Sequence, residues 1–224
     1  MPIRRAILET AYTALLAAWL GVILMTAVGA ARTFPILKDL APTLGAYPSY
    51  TGEHYRIAAG KVVQTFFWWS DVAQVLCFVA STVILLVLTM SRYLTFTAAA
   101  VRWMSAGLLL CLLVYHLLIL RPRMAANLSQ FWEAAAAGDN ARADIFQAAF
   151  SADHPRASTA LGLIALSLLV ALVANAWSMT RDKPQSLTPT STTNDQKTAN
   201  HDHQGPDAQT IPVSDEQGNE PGRG

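Results

Sequence analysis

"TFFWWSDVAQVLCFVASTVILLVL" (Thr65–Leu88) is almost unbroken apolar sequence, interrupted near its start by Asp71 and Gln74. About 20 apolar residues in a helix reach across the ~30 Å hydrocarbon core of a bilayer. With no water at that depth, backbone N–H and C=O groups must pair within the segment, which makes the stretch a helix. Three other blocks have the same character, and spans are expected at about 7–31, 67–90, 98–120 and 157–179, none containing proline. The fold class this implies is all-α: an integral membrane four-helix bundle occupying residues 1–180.

Composition agrees. The chain has 224 residues, 53% of them hydrophobic and 14% charged, with mean hydropathy +0.31. Soluble domains carry roughly 25% charged residues. Net charge is +1 without a Lys/Arg cluster, so there is no basic footprint for nucleic acid. Cys77 and Cys111 both lie inside apolar blocks and read as small buried hydrophobes. The first block exceeds the 7–15-residue apolar core of a signal peptide, so a retained helix is expected, with cleavage after Ala30 as the alternative.

The connections carry the remaining organisation. Pro35, Pro42 and Pro48 are expected to break the first long connection into short pieces. A helix restarts near Glu53 and enters the second span. "SRYLTFT" joins spans two and three as an antiparallel pair. Met124, Leu128, Phe131 and Trp132 form an amphipathic stripe; after "GDN", Ile145, Phe146, Ala149 and Phe150 repeat it. These stripes predict a short amphipathic helical hairpin between spans three and four, covering the bundle's end. Residues 181–224 hold almost no large apolar side chains and are expected to be a disordered polar tail. Its His201 and His203 are read as solvated.

Gln64, Asp71, Gln74, Ser81 and Thr82 share one stripe of the second helix, and Arg102, Ser105 and His116 one face of the third. Ionisable groups within a span normally face the bundle interior. In antiparallel helices, Asp71, His116 and Arg121 reach the same membrane face, where His54, Arg123 and His154 also fall. The candidate polar cluster is therefore His54, Asp71, Gln74, His116, Arg121, Arg123 and His154. It reads either as a structural pin or as a binding site for an ion, metal, haem or lipid headgroup. Glu9, at the first helix's start, is expected to stay hydrated. Small faces at Ala14, Ala17, Ala18 and Gly21, and at Ser158, Gly162 and Ala165, suggest close helix packing. No nucleotide loop, nucleophile elbow or metal-helix motif is present.

Three stretches together resemble the membrane family of transmembrane protein 205 and the bacterial domain of unknown function 4149. They are "EHYRIAAGKVVQTFFW" (53–68), "LRPRMAANL" (120–128) and "FSADHPRAST" (150–159), in family order across about Ala30 to Ala171. The resemblance implies four spans with both long connections on one side, and supplies no catalytic assignment. It places His54, Arg121, Pro122, Arg123, His154 and Ser158 at motif positions.

Function expectations follow. The leading one is a non-catalytic scaffold, trafficking or transport-accessory component in the lipid bilayer. One alternative is a haem- or copper-binding protein using His54, His116 and His154; another is a small-solute or ion carrier using Asp71, which would call for a homo-oligomer. Basic residues flank both membrane faces, but "MPIRR" favours a cytoplasmic N-terminus in a cell or inner membrane.

Overall fold

The structure, a computed structural model, describes the backbone of residues 2–181. The expected disordered tail lies, beyond Arg181, outside the described residues. The elements are α1 (Pro2–Leu40), α2 (His54–Met90), α3 (Phe96–Val114), a six-residue π-helical turn (Tyr115–Leu120), α4 (Arg121–Ala136) and α5 (Asn140–Arg181). Because α3, the π turn and α4 run on without a break, four long rods result. Each is long and apolar enough to cross a membrane. The chain is a multi-pass four-helix membrane bundle.

The rods are longer than the spans. α1 has 39 residues, about 58 Å at 1.5 Å per residue, nearly twice the hydrocarbon thickness. The surplus extends past the level of residues 31, 67, 120 and 157, building a helical cap at one end. The amphipathic hairpin is present there as α4 and the start of α5. Its two arms are continuations of spans three and four, not separate helices. Pro35 corrects the expected break, since α1 runs through it; a proline inside a helix loses one hydrogen bond without having to end it. Pro42 and Pro48 do lie in the irregular connection.

Local chemistry terminates the helices. After α2, Tyr93 N–H reaches Leu88 O (3.1 Å) and Arg92 N–H reaches Thr89 O (3.0 Å), a Schellman stop with Arg92 at φ 54°. α4 ends the same way on Gly138, at φ +76°. A Cβ there would sit 2.8 Å from that of Ser49, so glycine is needed both for the turn and for the approach of the α1–α2 connection. The cap has its own core of Tyr47, Tyr50, Ile57, Phe131, Ala134, Ala135 and Ala143. Burial raises the Tyr50 phenol above its ordinary pKa, and the negative charge of Asp144 pushes the same way.

The membrane core centres on Tyr12, Leu16, Trp19 and Ile23 of α1, spaced for one helical face. They pack on Leu85 and Leu88 of α2, Leu109 and Leu113 of α3, and Ile164 and Leu168 of α5. α1 packs most extensively on α2, whereas α3 lies chiefly on α5 and touches α2 little. The small residues Ala14, Ala17 and Ala18 are exposed. They are not the packing face, because the large side chains on the opposite side occupy it. Outward-facing Leu76, Val79, Leu110, Leu118, Leu166 and Val170 remain exposed, as suits a surface solvated by acyl chains. Cys111 is exposed on this surface and Cys77 is half-buried, both as free thiols.

Glu9 is a further correction, being 5% exposed with its carboxylate 2.9 Å from the guanidinium of Arg102, itself 5% exposed. Arg102 also donates to Ser178 Oγ (2.9 Å) and lies over the Tyr12 ring. A carboxylate facing an arginine one helix away is not free to remain in water, since leaving either charge buried alone is costlier. Glu9→Ala should lower unfolding stability in detergent by about 3–5 kcal/mol, whereas the double replacement by leucine, Glu9→Leu with Arg102→Leu, should recover most of it. Chemical denaturation monitored by tryptophan fluorescence checks both.

Candidate functional site

The central feature grows out of Pro122. Proline at this position has no N–H and clashes with the carbonyl four residues back, that of Leu118. The chain stays helical by widening: Arg121 N–H bonds to His116 O, five residues back. Residues five apart on an α-helix point about 140° away from each other. The wide turn brings them onto one face, and both His116 and Arg121 reach Asp71.

Asp71 Oδ2 accepts from Arg121 Nε at 2.8 Å, and its Oδ1 lies 3.3 Å from His116 Nε2. A carboxylate only accepts, so Nε2 carries the proton in this contact. The other ring nitrogen, Nδ1, is buried without a partner among the described residues. The side chains are 13% (Asp71), 4% (His116) and 23% (Arg121) exposed. Three residues after Asp71 on α2, Gln74 is fully buried, accepting from Trp19 Nε1 (3.5 Å) and donating to Ser70 Oγ (3.4 Å).

The other candidates go elsewhere. Arg123 pairs with Asp153, its Nε 2.6 Å from Oδ2, and Arg156 reaches the same carboxylate. This second ion-pair group ties α4 to α5. His54 ties down the α1–α2 connection: Leu44 N–H donates to Nδ1 (2.9 Å), and Nε2 bonds the Tyr50 carbonyl (3.0 Å). His154 stacks near Phe150. The three histidines therefore do not converge, and His54 has both ring nitrogens engaged. Among the described residues no group of three or more His, Cys, Asp or Glu side chains is placed to hold a metal. This corrects the haem or copper ligand set proposed from residue type.

Beside the Asp71 centre lies a cavity of about 690 Å3, walled by all four rods. Along α5 it runs from Gln147 to Ala165, roughly 27 Å of helix. Gln147, Ser151, His154 and Ser158 follow one another at helical spacing on its wall, giving way to Leu161, Gly162 and Ala165. α1 contributes Ile23, Ala27, Ala30 and Phe34; α4 contributes Arg121, Met124, Leu128 and Phe131. His116 and Ser70 also line it. Ser158, Gly162 and Ala165 thus leave space and do not draw helices together, and a Cβ added to Gly162 would meet nothing within 4 Å.

Depth follows from cross-helix neighbours. Trp19 meets Gln74, Gly29 faces Phe66, and Leu120 packs with Ala157 and Ala160. Arg121 therefore stands level with the outer limit of the apolar spans. The cavity straddles that limit, with an apolar inner end and an outer end where polar groups interleave with Phe34, Leu128 and Phe150. Leu24 and Gly162, at the inner end, are exposed, so the space opens on the surface facing the acyl chains.

These features define a multi-pass membrane bundle with one straddling cavity and a buried Asp–His–Arg centre on its wall. Comparison with protein-family models, curated proteins and solved structures finds no match for this chain.

Asp71→Ala would leave Arg121 without its acceptor and should destabilise the folded protein by about 1.5–3 kcal/mol, the usual worth of a hydrogen bond to a charged group. Pro122→Ala removes the obstacle that widens the helix. The expected outcome is a shift of the His116 ring resonances in nitrogen-labelled protein, as Nε2 loses its carboxylate partner.

Proposed function

We propose that this bundle is a non-catalytic, trafficking or transport-accessory protein that takes a single-chain amphipathic molecule from the bilayer into its cavity. The observation carrying this reading is the cavity's position and lining. About 690 Å3 falls within the 300–1,000 Å3 of pockets that enclose small ligands. Its inner end is apolar and open to the lipid side, while polar anchors stand at the level where a lipid keeps its headgroup.

The proposed membership in the four-span family described above is compatible with this reading. Arg121, His154 and Ser158, three of the motif positions, line the cavity, while His54, Pro122 and Arg123 shape its surroundings. Orientation with a cytoplasmic N-terminus in a cell or inner membrane is part of the same proposal, resting on "MPIRR". As an ion-carrier group Asp71 is less well placed, because both its oxygens already have partners.

Protein purified in mild detergent should retain a co-purifying amphipath, seen by native mass spectrometry as a discrete added mass released on heating. Gly162→Trp, directed into open space, should remove most of that mass without unfolding the bundle. An identical bound complement in wild-type and Gly162→Trp protein would overturn the reading.

A further inference from the structure

We infer that the amphipath is a long-chain carboxylate, held by the terminal amino groups of Arg121 with its chain directed inward. This rests on the cavity reading and specifies its headgroup.

The charge of the lining is one-sided. Its titratable charged side chains are Arg56, which is paired with Glu53, and Arg121, His116 and His154, and no aspartate or glutamate lines it. Arg121 is oriented by its Nε, which donates to Asp71 Oδ2. Its two terminal amino groups have no hydrogen-bond partner among the described residues, although Arg121 lines the cavity. A guanidinium presents those N–H groups as a rigid fork, and a carboxylate matches the fork with two parallel bonds. An alcohol would occupy a single donor and leave the remainder unpaired in a poorly hydrated space. A dianionic phosphate would bring excess charge, because Asp71 already offsets one positive charge at the same arginine. A cation would meet two arginines with no carboxylate on the wall.

The fork also stands at the right depth. From Arg121, level with Ser158, the cavity continues inward past Ile23 and Leu161 to Ala165, about 10 Å further along α5. A fatty acid in the bilayer keeps its carboxylate at the boundary and its chain inward. It would enter through the opening beside Leu24 and Gly162 without reversing its direction.

The test needs no variant to be informative. Detergent-solubilised full-length protein is photolabelled with a diazirine-bearing palmitate, and label is competed with palmitate, hexadecanol, hexadecyl phosphate or hexadecyltrimethylammonium. Palmitate should compete at a concentration at least tenfold below the other three, and label should map to peptides of α1 and α5 around Ile23 and Leu161. Arg121→Gln should weaken palmitate about tenfold and narrow its advantage over hexadecanol. Equal competition by hexadecanol overturns the carboxylate assignment while leaving the cavity reading intact. Stronger competition by the phosphate or the ammonium compound overturns it in favour of that headgroup. Label unaffected by Gly162→Trp, or mapping outside the cavity, removes both inferences.

Discussion

A carboxylate at the edge of a membrane-spanning helix must find positive charge or strong donors, and the way Asp71 does so organises this protein. Its partners lie five residues apart on a neighbouring rod, a spacing that an α-helix would send to different sides. The π turn before Pro122 resolves the conflict, converting a break in the hydrogen-bond ladder into a two-pronged hold on one carboxylate. Because α3 and α2 otherwise touch little, this contact is a principal tie between them at the membrane boundary.

Fixing the rods at that point has consequences at both ends. Toward the membrane centre, the large side chains of α1 fill the space, and the Glu9–Arg102 pair locks the far end. Toward the cap, small residues on α1 and α5 leave the rods apart. A second tie, Arg123 and Arg156 on Asp153, keeps α4 and α5 together outside the span. The cavity is what remains between two rigid ends. It is a consequence of side-chain volume as much as of polarity: Ala27, Ala30, Gly162 and Ala165 occupy positions where larger residues would close it.

The polar groups consequently serve different purposes although they are similar in type. Gln74 and Asn175 are fully buried and link helices to one another. His54 has both nitrogens committed to backbone groups and holds a loop. Arg121 commits only its Nε among the described residues, so its terminal amino groups are left to face the cavity. The distinction lies in which atoms are already bonded, and residue identity does not carry it.

The amino-acid sequence by itself determined the four spans, because the hydrocarbon thickness sets a length and the lack of water forces a helix. It also brought Asp71, His116 and Arg121 to one membrane level, since an antiparallel path joins those positions and lipid excludes charge, whereas the π turn that lets both partners reach one carboxylate was not legible in it. The restart of α2 near Glu53 and the turn at "GDN" were legible for similarly local reasons. The stripe of Gln147, Ser151, His154 and Ser158 was written at helical spacing but obscured by the larger apolar stripe beside it. Only the tertiary structure decided that Glu9 turns inward, that Pro35 lies within a helix, and that the histidines part company. It alone decided that the small residues of α5 border a void. Each of these depends on what stands opposite across a helix interface, and volume and pairing between distant segments are not encoded in the pattern of any one of them.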